Sequence, residues 1–142
     1  MKIIFLDFDG VLTRTDDPSS FRSLSKIAVD NLNSLVDMVP DVNIVITSTW
    51  RKYQSLPDLL NIMTDAGFRY SSLVMGVTPD MNNKRGYDIS AWIRKNNRPI
   101  DSMVILDDDD DMCGFRRKLV QTSFNNGLTM NDVKKACDIL RG

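Results

Sequence analysis

The most informative absence in this sequence of 142 residues is histidine, of which there is none. A chain without histidine has no Ser-His-Asp triad, no histidine-ligated zinc site and no histidine general base. Proton transfer therefore depends on carboxylates, lysine, tyrosine or cysteine. Only two cysteines are present, too few for a disulfide framework, and we expect both to be reduced in a cytoplasmic protein that has no disulfide partner.

The sequence also lacks a long apolar run, a signal-peptide pattern and an excess of either charge. No apolar stretch approaches the roughly 20 residues of a membrane span, and one lysine followed by aspartates does not form a signal peptide. The formal net charge of −1 gives no overall attraction to nucleic acid. Apolar residues make up 42% of the chain, enough for a core, and we expect one domain over residues 1–142.

Strand and helix signals alternate along the chain. Apolar, β-branched stretches predict strands at residues 2–7, 42–47, 73–74, 103–106 and 118–121. Helical spacing predicts helices at residues 20–38, 55–67, 86–96 and after 129. This alternation implies an α/β fold, with a Rossmann-like parallel sheet and helices on both of its faces.

Side chains at the helix ends predict where two of these helices begin. Ser19 or Ser20 is the expected N-cap of the first helix, since serine hydroxyls accept from backbone amides there. Thr129 and Asp132 form a capping-box pattern ahead of the last helix. Between them, the helix over 86–96 is expected to bury Tyr87 among its apolar positions.

The most distinctive stretch is residues 3–12, where an apolar run ends in Asp7 and Asp9 and then a glycine. Alternation along a strand predicts that both carboxylates lie on the same side. Two carboxylates this close repel each other and ionise together only when a cation lies between them. The stretch therefore predicts a metal and phosphate site at the carboxyl end of the first strand.

Other predicted strands also end in polar residues, and ligands of parallel sheets bind beyond the carboxyl ends of the strands. The second strand ends in Thr47 and Ser48, residues 107–111 are five consecutive aspartates, and Lys84 and Arg85 open a helix between them. Carboxylates bind Mg²⁺, hydroxyls and cations bind phosphate, and a carboxylate can act as a nucleophile. Together these groups favour phosphoryl transfer.

In this order, the motifs resemble those of the haloacid dehalogenase (HAD) superfamily of aspartate-dependent phosphatases. The similar segments are DFDGVL from Asp7, the strand ending in Thr47-Ser48, the cation Lys84 or Arg85, and VILDD ending in Asp107-Asp108. Many members of the superfamily carry a cap domain over the site. Neither insertion point is long enough here for a large cap, so we expect a HAD-like fold with little or no cap domain.

A closer resemblance is to a small branch of that superfamily associated with RNA and polynucleotide repair proteins. The similar segments are ITSTWR at 46–51, KRG at 84–86, LDDD at 106–109 and GLT at 127–129. They extend the likeness nearly to the last residue. In that branch the domain is fused to other repair modules.

The resemblance implies a role for each motif residue. Asp7 is the nucleophile, and Asp9 is the general acid and then the general base. The implied Mg²⁺ ligands are Asp7, the backbone carbonyl of Asp9, Asp107, and Asp108 or Asp111 through water. The candidate substrate-binding residues are Gly10, Thr47, Ser48, Lys84 and Arg85. Arg51 is either a surface charge or, because it lies beside Trp50, a further candidate to contact a phosphate or a base. Ser48 is preferred to Thr47 as the phosphate-binding hydroxyl, and Lys84 and Arg85 remain alternatives for the cation.

An uncapped site suits a phosphate presented by a large molecule. We therefore expect a Mg²⁺-dependent phosphomonoesterase acting on nucleic-acid or nucleotide phosphate ends, with DNA or RNA ends as partners and a 3′-phosphate favoured. Two alternatives stay open. One is a phosphatase for small metabolites or mononucleotides, and the other is a binding domain that keeps the HAD fold without catalysis.

Overall fold

The computed structural model describes residues 1–142 and has a five-stranded parallel sheet at its centre. The strands are β1 (Lys2–Leu6), β2 (Val42–Ile46), β3 (Val74–Val77), β4 (Ser102–Asp107) and β5 (Leu119–Gln121). Their order in the sheet is β3-β2-β1-β4-β5, and every neighbouring pair is parallel. The first strand in the sequence is thus the central strand, and its carboxyl end is flanked by those of β2 and β4.

Helices cover both faces of the sheet, so the predicted α/β architecture is confirmed. They are α1 (Ser20–Ser23), α2 (Lys26–Met38), α3 (Leu56–Asp65), α4 (Arg85–Lys95) and α5 (Met130–Arg141), with short 3₁₀ turns at Thr49–Lys52, Ser71–Leu73 and Cys113–Lys118. No separate cap domain is inserted between these elements. None of the helices combines the length and the apolar character that crossing a bilayer requires.

The alternation of strand side chains divides the core into two layers. Ile4 and Leu6 of β1 pack in the larger layer with α2, α3 and α5, whereas Ile3 and Phe5 pack in the smaller layer with Ile89 of α4. Burial on both faces explains why β1 is a continuous apolar run. Because alternate side chains of a strand share a face, the side chain two positions after Phe5, just beyond the end of β1, also lies on the α4 side of the sheet.

The predicted first helix is wrong in one respect, because it is two helices with a break at Leu24. Leu24 is buried with φ of +67°, and the Ser25 amide donates to the carbonyl of Leu12 at 2.7 Å. The break lets Ser25 accept from the Ala28 amide as the N-cap of α2. Ser19 makes no capping bond, so neither predicted serine caps the long helix.

Of two further predictions, the capping box before α5 is confirmed and the burial of Tyr87 is wrong. In the capping box, Thr129 and Asp132 each accept from the other's backbone amide. Tyr87 is 47% exposed rather than buried, because α4 packs on the sheet through Ile89, Trp92 and Ile93 instead.

Gly86 in the first turn of α4 supplies a test of this packing. A Cβ atom at this position would overlap the backbone carbonyl of Met112. We expect Gly86→Ala to lower the free energy of unfolding by about 1–3 kcal/mol, the usual cost of overpacking. Urea denaturation measures the change, and Gly114→Ala is the matched control because a Cβ there meets nothing within 4 Å. Equal stabilities of the two variants would contradict the close approach.

Candidate active site

The register of the three central strands builds the site. Leu6 is paired with Ile46 and with Leu106, so the next residues, Asp7, Thr47 and Asp107, form one row across the carboxyl edge of the sheet. The Asp7 amide donates to the Leu106 carbonyl at 3.0 Å, and the Thr47 amide donates to the Leu6 carbonyl at 2.8 Å. In-register pairing therefore brings three polar residues together although they are far apart in the sequence.

Three carboxylates form a cluster at this edge. Oxygen atoms of Asp7, Asp107 and Asp108 all lie within 4.8 Å of one another, and Asp7 and Asp107 are buried. Burial raises the pKa of Asp7 to about 6, and burial together with repulsion from Asp7 raises the pKa of Asp107 to about 9. Burial also raises the pKa of Asp108. At neutral pH Asp107 therefore keeps a proton that a bound cation can replace.

The donor set of this cluster fits a hard divalent cation. All the ligand atoms on offer are carboxylate oxygens, and Oδ2 of Asp107 is buried without a hydrogen-bond partner. Mg²⁺ and Ca²⁺ both prefer oxygen ligands, and Mg²⁺ needs only a few from the protein. A cation here would relieve the repulsion and supply the missing partner, so the residues could hold a metal ion.

Arg85 is the basic residue that the structure brings to the cluster. Its Nη1 lies 3.8 Å from Oδ1 of Asp7, and its Nε lies 3.9 Å from Oδ2 of Asp107. Nη1 is buried without a hydrogen-bond acceptor. Lys84 is exposed and precedes the first residue of α4. Of the two predicted alternatives, only Arg85 places its charge beside the carboxylates.

Asp111 lies apart from the cluster and orients Arg85. Its Oδ2 accepts from the Arg85 amide at 3.1 Å, and its carbonyl accepts from the Gly86 amide at 3.0 Å. These bonds satisfy two amides that the first turn of α4 leaves free. The structure therefore gives Asp111 a helix-capping position, and its expected place among the metal ligands stays a prediction.

Asp9 is not one of the three clustered carboxylates. Its Oδ1 accepts from Nε1 of Trp50 at 3.0 Å, and the ring of Trp50 packs edge-on against Phe8 with centroids 5.3 Å apart. The alternation that predicted one shared side ends at Leu6, because the chain turns where the Val11 and Leu12 amides donate to the Phe8 carbonyl. The carboxylate of Asp9 therefore lies outside the cluster and is held by the indole N–H of Trp50.

Two buried hydroxyls at the ends of β2 and β3 have no partner. They are Oγ1 of Thr47 and Oγ1 of Thr78, which lie side by side because Ile46 pairs with Val77. By contrast, Oγ of Ser48 accepts from the Trp50 amide at 3.2 Å. Thr78 was missing from the sequence-based candidates, and its only signal is a threonine directly after an apolar strand.

Arg51 is buried inside the protein and holds the strand ends together. Its guanidinium donates to the carbonyls of Thr47, Ser48 and Thr78 and to Oδ2 of Asp88, at 2.7–3.0 Å. The side chains of Arg51 and Asp88 are only 5% and 6% exposed. The guanidinium of Arg51 therefore donates to acceptors within the protein. Asp88, like Thr78, was not among the residues that the sequence analysis proposed.

Gly10 makes room for one of the carboxylates. Its φ is +76°, and a Cβ atom on it would lie 2.5 Å from Cγ of Asp108. Its carbonyl accepts from Oγ1 of Thr122 at 2.6 Å, which fixes the turn after Asp9. Glycine is required here by its conformation and by the close approach of Asp108.

Comparison with protein families gives one match. The profile of the HAD domain in Swiss Army Knife RNA repair proteins matches residues 3–133. The matched range runs from β1 into the first turn of α5 and contains the carboxylate cluster, Arg85 and Asp9. Searches of curated proteins and of solved structures gave no significant match. The resemblance to the repair-associated branch, drawn from short segments, is thereby confirmed.

The raised pKa values predict that the effect of a bound metal ion on thermal stability depends on pH. The folded, metal-free protein keeps protons on Asp7 and Asp107 that the unfolded chain loses near pH 4, so its stability falls as pH rises toward about 9. A bound cation replaces those protons. We expect millimolar MgCl₂ to raise the melting temperature more at about pH 8.5 than at about pH 6, measured by thermal unfolding.

Asp107→Asn is the informative variant for that measurement. It removes a carboxyl that must either take up a proton or be buried as an anion when the chain folds, so the metal-free variant should melt above the wild type at about pH 8.5 and should lose the response to MgCl₂. Asp138→Asn, on the exposed side of α5, serves as the control. A metal-induced shift that is the same at both pH values would contradict the protonated cluster.

Proposed function

The chain belongs to the family of HAD domains from Swiss Army Knife RNA repair proteins, and on this premise we propose that it is a Mg²⁺-dependent phosphomonoesterase. The observation that supports the proposal best is the buried cluster of Asp7, Asp107 and Asp108 with Arg85 beside it. A cation site and a guanidinium converge there on one carboxylate, as phosphoryl transfer requires. We further propose that residues 1–142 act as one phosphatase domain.

In the proposed reaction, Asp7 is the nucleophile. One of its carboxylate oxygens attacks phosphorus, and the bond from phosphorus to the substrate's leaving oxygen breaks. The Phe8 amide, which donates to Oδ1 of Asp7 at 2.8 Å, fixes the orientation of the carboxylate. The product of this step is an aspartyl-phosphate.

Asp9 moves the protons in both halves of the reaction. It first donates a proton to the leaving oxygen. As a carboxylate it then takes a proton from the water that attacks phosphorus, which breaks the bond to Asp7 and releases inorganic phosphate. The Trp50 indole, bonded to Oδ1 of Asp9, orients this side chain and leaves its second oxygen for the proton.

Mg²⁺ is the metal we propose for the cluster. Asp7, the backbone carbonyl of Asp9 and Asp107 would hold it, with Asp108 binding through water. When bound, the ion neutralises negative charge on the phosphate oxygens.

For the phosphate itself we propose Arg85 and Thr47. The free Nη1 of Arg85 and the free Oγ1 of Thr47 lie on the same edge as Asp7, whereas Ser48 follows one position beyond the residue that pairing places beside Asp7, and its Oγ accepts from the Trp50 amide. This reverses the preference for Ser48 that the sequence suggested. Arg51 is proposed to position the ends of β2 and β3 instead of binding substrate, since four of its five N–H donors are used within the protein.

A nucleic-acid end with a terminal phosphate, a 3′-phosphate in particular, is the substrate we propose. The family is that of RNA repair proteins, and the absence of a separate cap domain leaves the site accessible to a large molecule. Turnover of phosphorylated oligonucleotides, mononucleotides and sugar phosphates with MgCl₂ tests this choice. Efficient turnover of the small phosphates without turnover of oligonucleotide ends would refute it.

Replacing either catalytic aspartate tests the mechanism. We expect Asp7→Asn to lower kcat by at least about a thousandfold, because the amide cannot form the covalent intermediate. Asp9→Asn should lower kcat by about a hundredfold to ten-thousandfold, the usual contribution of a general acid or base. Phosphate release from a 3′-phosphorylated oligonucleotide measures both. Wild-type rates in Asp7→Asn would exclude the proposed nucleophile.

The assignment of the phosphate-binding hydroxyl has its own test. Thr47→Ala should lower kcat/KM by about a hundredfold through loss of a donor to the phosphate. Thr47→Ser keeps the hydroxyl and should recover most of the activity. Ser48→Ala is the matched comparison, with an expected loss below about tenfold. A larger loss in Ser48→Ala than in Thr47→Ala would return the role to Ser48.

A further inference from the structure

Asp9 lies at the edge of a cleft that the proposed chemistry does not use. The cleft has a volume of about 530 Å³ and is lined by Asp9, Phe21, Arg22, Thr49, Trp50, Tyr53 and Gln54. A separate, wholly polar cleft of about 320 Å³ contains Arg85. Thr49 lines both, so the two clefts adjoin.

The first cleft, which we call the aromatic cleft, exposes rings that the core does not need. Tyr53 is 85% exposed, and Phe21 is 36% exposed and lies 5.7 Å from the ring of Phe124, itself 46% exposed. Trp50 adds its indole next to Asp9. Exposed aromatic rings grouped at one cleft are typical of a binding surface.

We propose that the aromatic cleft binds the terminal nucleoside of the substrate, with its base against the rings of Tyr53 and Phe21. This inference rests on the proposed function, because a general acid at Asp9 places the leaving oxygen, and thus the nucleoside that carries it, on this side. The phosphate then lies toward Arg85, in the direction of the polar cleft.

The side chains that line the aromatic cleft can contact the base, the polar groups of the nucleoside and the neighbouring phosphate. Aromatic side chains stack on any base, with about 1–3 kcal/mol per base. Gln54 and Thr49 offer hydrogen-bonding groups, and Arg22 on α1 brings a positive charge for the phosphate of the preceding nucleotide. The volume falls within the roughly 300–1,000 Å³ of small-ligand sites. A sugar phosphate without a base would leave the rings without a partner.

The first test compares two ends that differ only in the base. One oligonucleotide carries a 3′-phosphate on an ordinary terminal nucleotide, and the other carries it on an abasic nucleotide. We expect the wild type to favour the first by about tenfold in kcat/KM, and Tyr53→Ala to reduce this preference severalfold. Tyr87→Ala, an exposed tyrosine of α4 outside the cleft, should keep the preference. Equal kcat/KM on the two ends in an active wild type would overturn the inference and leave the proposed function standing.

The second test is independent of catalysis. The chain has two tryptophans, so Trp92→Phe leaves Trp50 as the fluorescent group at the cleft. An unphosphorylated oligonucleotide should quench this fluorescence more than one with an abasic 3′ end, and Tyr53→Ala should weaken the difference. Titration calorimetry on the wild type replaces this measurement if Trp92→Phe does not fold. If the protein binds in a base-dependent way but hydrolyses no phosphomonoester, the nucleoside site in the aromatic cleft is supported and the proposed function is refuted. If the protein is an active phosphatase but its binding does not depend on the base, the inference about the cleft is overturned.

Discussion

Repulsion among three clustered carboxylates is the constraint to which the rest of the site responds. Asp7 and Asp107 are brought together by the pairing of β1 with β4, and neither has enough water around it to ionise freely. Arg85 offsets part of this cost from 3.8–3.9 Å without forming a close ion pair. That looser contact leaves donors of the guanidinium and oxygens of the carboxylates available to a phosphate and a metal ion.

Two arginines with different tasks lie on the same side of the sheet. Arg51 donates through four of its five N–H groups to backbone carbonyls and Asp88, and its positive charge repels that of Arg85. Arg85 keeps an unpaired nitrogen. The buried pair of Arg51 and Asp88 thus provides a framework, because removing one partner would leave a buried charge uncompensated. The phosphate binding that we propose would need such a rigid surrounding for the free groups of the site.

The sequence was sufficient where short-range rules decide the structure. The apolar strands, the capping box of Thr129 and the aspartates after β1 and β4 all follow from alternation, burial and helix-end chemistry. The sequence was insufficient to predict features that depend on contacts between residues far apart in the chain. The break at Leu24 depends on a bond from Ser25 to Leu12, and Thr78 gains its place from the register of β3 on β2. The proposed choice of Thr47 over Ser48 rests on the register of β2 on β1, which places Thr47 beside Asp7.

The run of five aspartates has a consequence beyond its charge. Its first two members contribute to the carboxylate cluster, while its last, Asp111, anchors the amides that begin α4 and so sets the position of Arg85. One short loop therefore supports both the metal side and the phosphate side of the site. A metal ion on one side and an anion on the other would both depend on this loop, and any coupling between the two sites would be reciprocal by thermodynamic necessity.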